Sequence, residues 1–302
     1  MKIGVLVMAY GTPATPEDVE IYYTRIRHGH APTPELLADL QRRYNAIGGT
    51  SPLAERTAAQ VDAIRDEIEK LAPGQFEVRF GSKYQPPLLE ETAESFRADG
   101  FTKVIGLVLA PHSSSMSTTQ YYTRAREALG EGIEFIEIDE WYDAPGFLEL
   151  IADRVSEALA KVPAERLATT EVLFSAHSLP QKILANGDNY PDQLHDSAVK
   201  AAALAKVDKW DIAWQSAGRT ADPWIGPDIL DVLRQKSASG VTDIVSCPIG
   251  FVSDHLEVLF DIDIEAQGVA KEIGLNLVRT ASLNADTQFM AVLAKLVVER
   301  AA

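Results

Sequence analysis

Two stretches of the chain read almost alike. One is Val5-Leu6-Val7-Met8-Ala9-Tyr10-Gly11-Thr12-Pro13, and the other is Val172-Leu173-Phe174-Ser175-Ala176-His177-Ser178-Leu179-Pro180. Each is a short apolar run closing on Ala, then a ring residue, then a loop that ends in Pro. A run without polar alternation signals a strand covered on both faces, as in a parallel sheet with helices on each side. Further strand patterns lie at Glu77–Lys83, Lys103–Leu109, Ile133–Ile138, Asp211–Gln215, Asp243–Cys247 and Leu275–Arg279. Between them run helical patterns, among them Pro16–Arg27, Glu35–Ala46, Leu53–Leu71, Gly146–Lys161, His255–Glu272 and Thr287–Glu299. Strand alternating with helix predicts doubly wound α/β units with right-handed crossovers. Each quoted stretch opens one half of the chain, so the expected units are residues 1–162 and 163–302, divided near Pro163. Ligands of such sheets bind beyond the carboxyl ends of the strands. Tyr10 and His177 should therefore stand at equivalent strand ends and approach one cleft from opposite sides.

The length of 302 residues suits two such units at roughly 150 residues each. Apolar residues make up 46% and charged residues 24%, enough for a packed core. Lys and Arg number 28 against 44 Asp and Glu, a net charge of −16, which argues against nucleic acid as a partner. The single cysteine, Cys247, excludes a disulfide framework, a Cys-rich zinc site and an iron–sulfur cluster on this chain's own thiolates. It also fits a reducing compartment. The apolar start Ile3–Ala9 lacks the features of a signal peptide, and no run approaches the ~18 apolar residues of a membrane span. A cytoplasmic, soluble protein without stable membrane association is expected.

Among six histidines, His177 is singled out by its strand-end position, where an imidazole can accept a proton or ligate a borderline metal. His112, in Ala110-Pro111-His112, has the same setting and serves either in the site or behind it. Asp254-His255-Leu256-Glu257 opens a helical pattern in which Glu257, Asp261 and Glu265 recur at every fourth residue. Like charges so placed weaken a helix, and a solvated acidic face is the plain explanation. The many apolar residues around them suit instead a path for a divalent cation such as Fe(II), Co(II), Ni(II) or Zn(II). Basic and aromatic residues gather near the N-terminus. Arg27 and Arg43, with Tyr44, Ser51 and Tyr121, could hold the carboxylates of a flat aromatic ligand. No Gly-x-Gly-x-x-Gly or Walker pattern occurs, so no nucleotide is expected.

These segments together resemble the ferrochelatase family, in its soluble coproporphyrin branch of Gram-positive bacteria. The likeness rests on Leu6–Pro13, Tyr44–Leu53, Leu109–His112, Ser175–Pro180, Trp214–Ser216, Asp222–Pro227 and Gly250–Glu257, which follow in family order along nearly the whole chain. The Ser-Ala-His-Ser-Leu-Pro and Asp-His-Leu-Glu pair is its most specific part. The resemblance implies two Rossmann-like domains facing a porphyrin cleft, and insertion of Fe(II) into coproporphyrin III to give coproheme for heme synthesis. It implies His177 and Glu257 as the catalytic, metal-side pair. Tyr10 becomes the ligand of product iron on the other porphyrin face, and Arg27, Arg43, Tyr44, Ser51 and Tyr121 become porphyrin contacts. Asp261 and Glu265 become an acidic ladder that brings or holds metal. Tyr84 and His28 depart from the family pattern, where relatives carry His and Arg. A monomer is expected, meeting the enzyme that consumes coproheme only transiently.

Four other readings compete, the plainest a periplasmic-binding-type module, which the lack of an export signal disfavours. A cobalt or nickel chelatase shares the fold but usually pairs two histidines on the metal side, against the Asp-His-Leu-Glu match. A protoporphyrin ferrochelatase shares the chemistry and differs in the carboxylates it must hold. A heme or coproheme carrier needs Tyr10 and the arginines but has no use for His177, Glu257 and the ladder.

Overall fold

The computed structural model describes residues 2–218, 220 and 222–302. Two four-stranded parallel sheets carry the chain. The first half runs β1 (Ile3–Ala9), α1 (Val19–Ile26), α2 (Pro34–Ala46), α3 (Leu53–Leu71), β2 (Phe76–Ser82), α4 (Leu89–Ala98), β3 (Lys103–Val108), α5 (Thr118–Leu129), β4 (Glu134–Ile138) and α6 (Phe147–Leu159). The second runs β5 (Thr170–His177), α7 (Lys182–Ala185), α8 (Tyr190–Leu204), β6 (Trp210–Gln215), α9 (Ile229–Ala238), β7 (Asp243–Cys247), α10 (Leu256–Leu259), α11 (Gln267–Glu272), β8 (Asn276–Arg279) and α12 (Thr287–Ala301). Strand order is β2-β1-β3-β4 in one sheet and β6-β5-β7-β8 in the other. The orders match position for position. β1 and β5, the two quoted stretches, are therefore equivalent strands, and each pairs with a neighbour on both sides.

Their apolar runs have a direct cause. Along β1, Val5 and Val7 pack with Val61, Ile64 and Ile68 of α3, while Leu6 and Met8 face the other way against α4 and α5. Along β5, Val172 and Phe174 pack with Leu194 and Ala198 of α8, and Leu173 faces α9. Successive side chains point to opposite faces. Both faces are covered, so a polar residue there needs a partner, as Ser175 of β5 has in Gln215.

The two sheets fall on either side of residue 162, but the helices cross that line. α6 leaves β4 and packs on α8, β7 and β8, whereas α12 leaves β8 and packs on α3, β3 and β4. Lys103 Nζ caps the far end of α12 through the Ala301 carbonyl at 2.9 Å. One hydrophobic cluster therefore runs through both halves, including Phe147 and Ile151 of α6 and Met290 and Leu293 of α12. The 162/163 division describes the order of the sheets, not two independently packed bodies.

One helix departs from its pattern. The stretch expected as a continuous helix from His255 to Glu272 is α10, then a π-helical turn over Asp261–Ala266, then α11. The Phe260 carbonyl accepts from both Ile264 N, at 3.2 Å, and Glu265 N, at 2.9 Å. Like charges spaced i, i+4 weaken a regular helix only slightly. Such single π-turns recur at functional sites.

Candidate active site

Tyr10 follows β1 directly, and His177 is the last residue of β5. Between these strand ends lies a cavity of about 530 Å³ whose wall both residues share. Glu257, Asp261, Arg43, Tyr44, Ser51 and Tyr121 also line it. Of the expected ligand contacts, Arg27 stands apart: it caps α1, stacks over Tyr23 with 5.8 Å to the ring centroid, and is not on the cavity wall. Glu265 also lies off the wall, one π-turn beyond Asp261.

His177 is held in one tautomer. Its Nδ1–H donates to the Ser178 carbonyl, so in the neutral ring Nε2 keeps its lone pair. The Tyr190 hydroxyl donates to the His177 carbonyl at 3.0 Å and fixes the backbone there. Nε2 lies 3.7 Å from Glu257 Oε1. The other carboxylate oxygen, Oε2, lies 3.5 Å from Nε2 of His255, whose Nδ1–H donates to the Ser253 carbonyl at 2.9 Å. Glu257 thus stands between two imidazoles.

The charges follow from that geometry. Burial alone would raise the Glu257 carboxyl, but His177, His255 and Arg43 outweigh it and bring its pKa down to about 2. Burial works to lower His255, and Glu257 reverses this and raises it. A carboxylate that is always ionised and a histidine that favours its proton make a charge-assisted pair beside His177.

Glu257 is positioned from beneath. The Ser175 hydroxyl on β5 donates to Gln215 Oε1 at 2.9 Å, and Gln215 Nε2 donates to the Glu257 carbonyl at 3.1 Å. Gly250 lets the preceding loop lie flat on β5, since a Cβ there would come within 2.5 Å of the Ala176 methyl. Asp254 ties the turn down, accepting from Arg279, Ser282 and Asn284 at 3.2, 2.8 and 3.0 Å.

Asp261 is buried, and the Ser216 hydroxyl donates to its Oδ2. Oδ1 lies 3.6 Å from Arg43 Nη1. Burial, with Glu257 and Glu265 nearby, pushes its pKa up to about 7. Arg43 also pairs with Asp39 at 3.1 Å. Among the described residues no three His, Cys, Asp or Glu side chains converge as a preformed metal site. Of the expected metal set, His177, Glu257 and Asp261 share the cavity wall, Glu265 lies off it, and Arg43 stands 3.6 Å from Asp261.

Elsewhere on the wall, the Tyr10 ring packs edge-on to Tyr84, with centroids 4.8 Å apart, and 41% of its surface is exposed. Desolvation, then Tyr84 and Glu257, hold its phenol well above its ordinary value, so it is protonated at neutral pH. Tyr84, where the family pattern has His, is thus a packing partner of Tyr10. His28 is exposed, in a left-handed turn with φ of 55°. His112 is buried and neutral, its pKa pushed down to about 3. Its Nε2 meets the Ser197 hydroxyl at 2.9 Å, which ties the two halves together at the cavity floor.

A ferrochelatase family model matches residues 2–301.

The chain belongs to the ferrochelatase family.

It is 45% identical to a ferrochelatase of Herpetosiphon aurantiacus over 98% of both chains. It is 42% identical to the coproporphyrin III ferrochelatases of Listeria innocua, over 98% of this chain and 97% of that one, and of Bacillus subtilis, over 99% and 98%. Among solved structures, the cobalt complex of the sirohydrochlorin chelatase SirB of Bacillus subtilis superposes with a TM-score of 0.59 at 12% identity, covering 100% of this chain and 96% of that one. CbiX gives 0.54 at 14% identity over 98% of both. At such identities the likeness is one of fold: two facing parallel-sheet units, as chelatases have. No helix of this ferrochelatase is long and apolar enough to cross a membrane, among the described residues.

His255 was not singled out in the sequence. The signal was present: a His two residues before the key Glu, at the point where the chain enters α10. Only the side-chain geometry shows that Glu257 joins it to His177.

Proposed function

We propose that this ferrochelatase inserts Fe(II) into coproporphyrin III, giving coproheme. The observation that supports this most is the pairing across one cavity of the His177–Glu257–His255 row and the Tyr10 phenol. Metalation replaces the two pyrrole N–H protons by Fe(II), so the site must accept protons and meet a dication. His177 Nε2 is the free base at the cavity, and Fe(II) and the pyrrole protons compete for the same lone pair. Glu257 stays ionised throughout and stabilises the imidazolium that forms. Through its second oxygen it pairs with His255, which holds the carboxylate in place beside His177.

The names of the relatives support coproporphyrin over protoporphyrin. The substrate's four propionates need cationic and hydroxyl partners, which Arg43, Tyr44, Ser51 and Tyr121 offer on the cavity wall. Each charge-assisted hydrogen bond to a carboxylate is worth roughly 1.5–3 kcal/mol when water is excluded. Anaerobic metalation with coproporphyrin III and protoporphyrin side by side tests the proposal. Many turnovers and a higher kcat/KM for coproporphyrin III are expected. Equal efficiency, or a preference for the divinyl substrate, moves the chain to the protoporphyrin branch. A single equivalent of product makes it a carrier.

Tyr10 is proposed to ligate ferric product iron from the face opposite His177. With its phenol held protonated, it does not compete for Fe(II) before insertion. Tyr10→Phe should change the visible spectrum of bound ferric coproheme while metalation continues. An unaltered spectrum refutes ligation by Tyr10.

A further inference from the structure

β2 runs alongside β1 in register, with Ala9 opposite Ser82. The chain leaving β2 continues that pairing: Lys83 N donates to the Ala9 carbonyl at 2.9 Å and Tyr84 N to the Tyr10 carbonyl at 3.2 Å. Lys83 therefore emerges beside Tyr10, on the cavity wall, with only 4% of its surface exposed. Its Nζ donates to Gln120 Oε1 at 2.6 Å and lies over the rings of Tyr121 and Tyr84, at 4.8 and 5.4 Å from their centroids. Among the described residues no carboxylate pairs with it.

That arrangement is unusual for an ammonium group. A buried charge is ordinarily paired with one of opposite sign. The charge that acts on Lys83 is another cation, Arg124, whose Nη2 donates to the Lys83 carbonyl at 3.1 Å. Arg124 has its own carboxylate, Glu90 at 2.5 Å. Burial, followed by Arg124, brings the Lys83 pKa down to about 8. The only Lys and Arg side chains on the described cavity wall are Lys83 and Arg43. Arg43 is already flanked by Asp39 and Asp261. Lys83 is thus a cation at the cavity whose counter-charge is not supplied by the described chain.

We propose that Lys83 is a carboxylate subsite of the cavity and receives one peripheral carboxylate of the tetrapyrrole. The proposal rests on the porphyrin reading of the site and adds to it a determinant of substrate choice. The ammonium, turned from Gln120 toward the arriving carboxylate, exchanges a neutral acceptor for an anionic one. The flanking Tyr84 and Tyr121 rings keep water away from that contact, which strengthens it.

Fluorescence titration of the full chain with metal-free coproporphyrin III and with its tetramethyl ester tests this. The two ligands share the macrocycle and differ in peripheral charge. Lys83→Met and Lys83→Gln should each weaken coproporphyrin III by about tenfold to a hundredfold and leave the ester close to its wild-type affinity. Lys83→Arg should restore most of the loss. The Gln variant keeps a polar end beside Gln120 and serves if the Met variant does not fold. Equal weakening of both ligands assigns Lys83 to the shape of the wall and overturns the subsite, as does unchanged binding of coproporphyrin III. Wild-type protein that binds neither ligand overturns the porphyrin reading itself, and the subsite with it.

Discussion

His177→Ala should slow iron insertion by roughly 10²–10⁴-fold, the span that a positioned general base contributes, while coproporphyrin III still binds. The expectation comes from comparing three groups in one row. Glu257, with its pKa near 2, is too weak a base to take a pyrrole proton directly. His255 points its Nε2 at Glu257 and is biased toward the protonated form by that contact. His177 alone has an Nε2 lone pair at the cavity, because Nδ1 is fixed on the Ser178 carbonyl. Truncation to Ala removes the base and leaves Tyr10, Arg43 and Tyr121 on the wall, so the porphyrin still has its contacts. Single-turnover metalation under anaerobic conditions, beside a porphyrin titration, separates chemistry from binding. Turnover near the wild-type rate by a folded variant would remove His177 from the mechanism.

The part of this site that could be read from the chain was carried by backbone periodicity. Tyr10 and His177 come out equivalent because each follows a fully covered strand, and covered strands leave an unbroken apolar run in the sequence. Glu257, Asp261 and Glu265 stood out as carboxylates spaced every fourth residue in a mostly apolar helical pattern. What stayed hidden depends on side-chain direction and on packing between halves. A period of 3.6 and a single π-turn leave the same pattern of apolar residues over six positions, so the widening at Asp261–Ala266 carries no signal of its own. Arg27 belongs to the right cluster in sequence, yet the C-terminal end of α1 places it beyond Tyr23, outside the cavity. Lys83 reads as one more lysine after a strand. It becomes notable only because α5 closes over it with Gln120 and Tyr121. The exchange of α6 and α12 between the sheets is likewise invisible in a list of elements, since either helix could as well have covered its own sheet.

Asp261→Asn should stabilise the fold at pH 8 and leave it nearly unchanged at pH 4. The Asp261 pKa is raised from 3.8 to about 7 in the folded chain, by burial first and then by Glu257 and Glu265. Between those two values the folded state holds a proton that the unfolded state has released. Stability therefore falls as pH rises from about 4 to about 7, and the whole penalty is present above that. A shift of about three pKa units corresponds to roughly 4 kcal/mol, an upper bound for a single carboxyl. The side chain is only 8% exposed, so solvent screening removes little of it. Asn keeps an oxygen that can accept from Ser216 and never ionises. Glu257 titrates far lower, near 2, so its own contribution is common to both proteins across this window and cancels in the difference. Urea unfolding of both proteins at pH 4, 6 and 8 should show a stability difference that opens in favour of the variant as pH rises. A gap that stays flat with pH would mean that Arg43, 3.6 Å away, holds Asp261 ionised in the folded chain. The carboxylate would then be a permanent charge on the cavity wall, paired with Arg43.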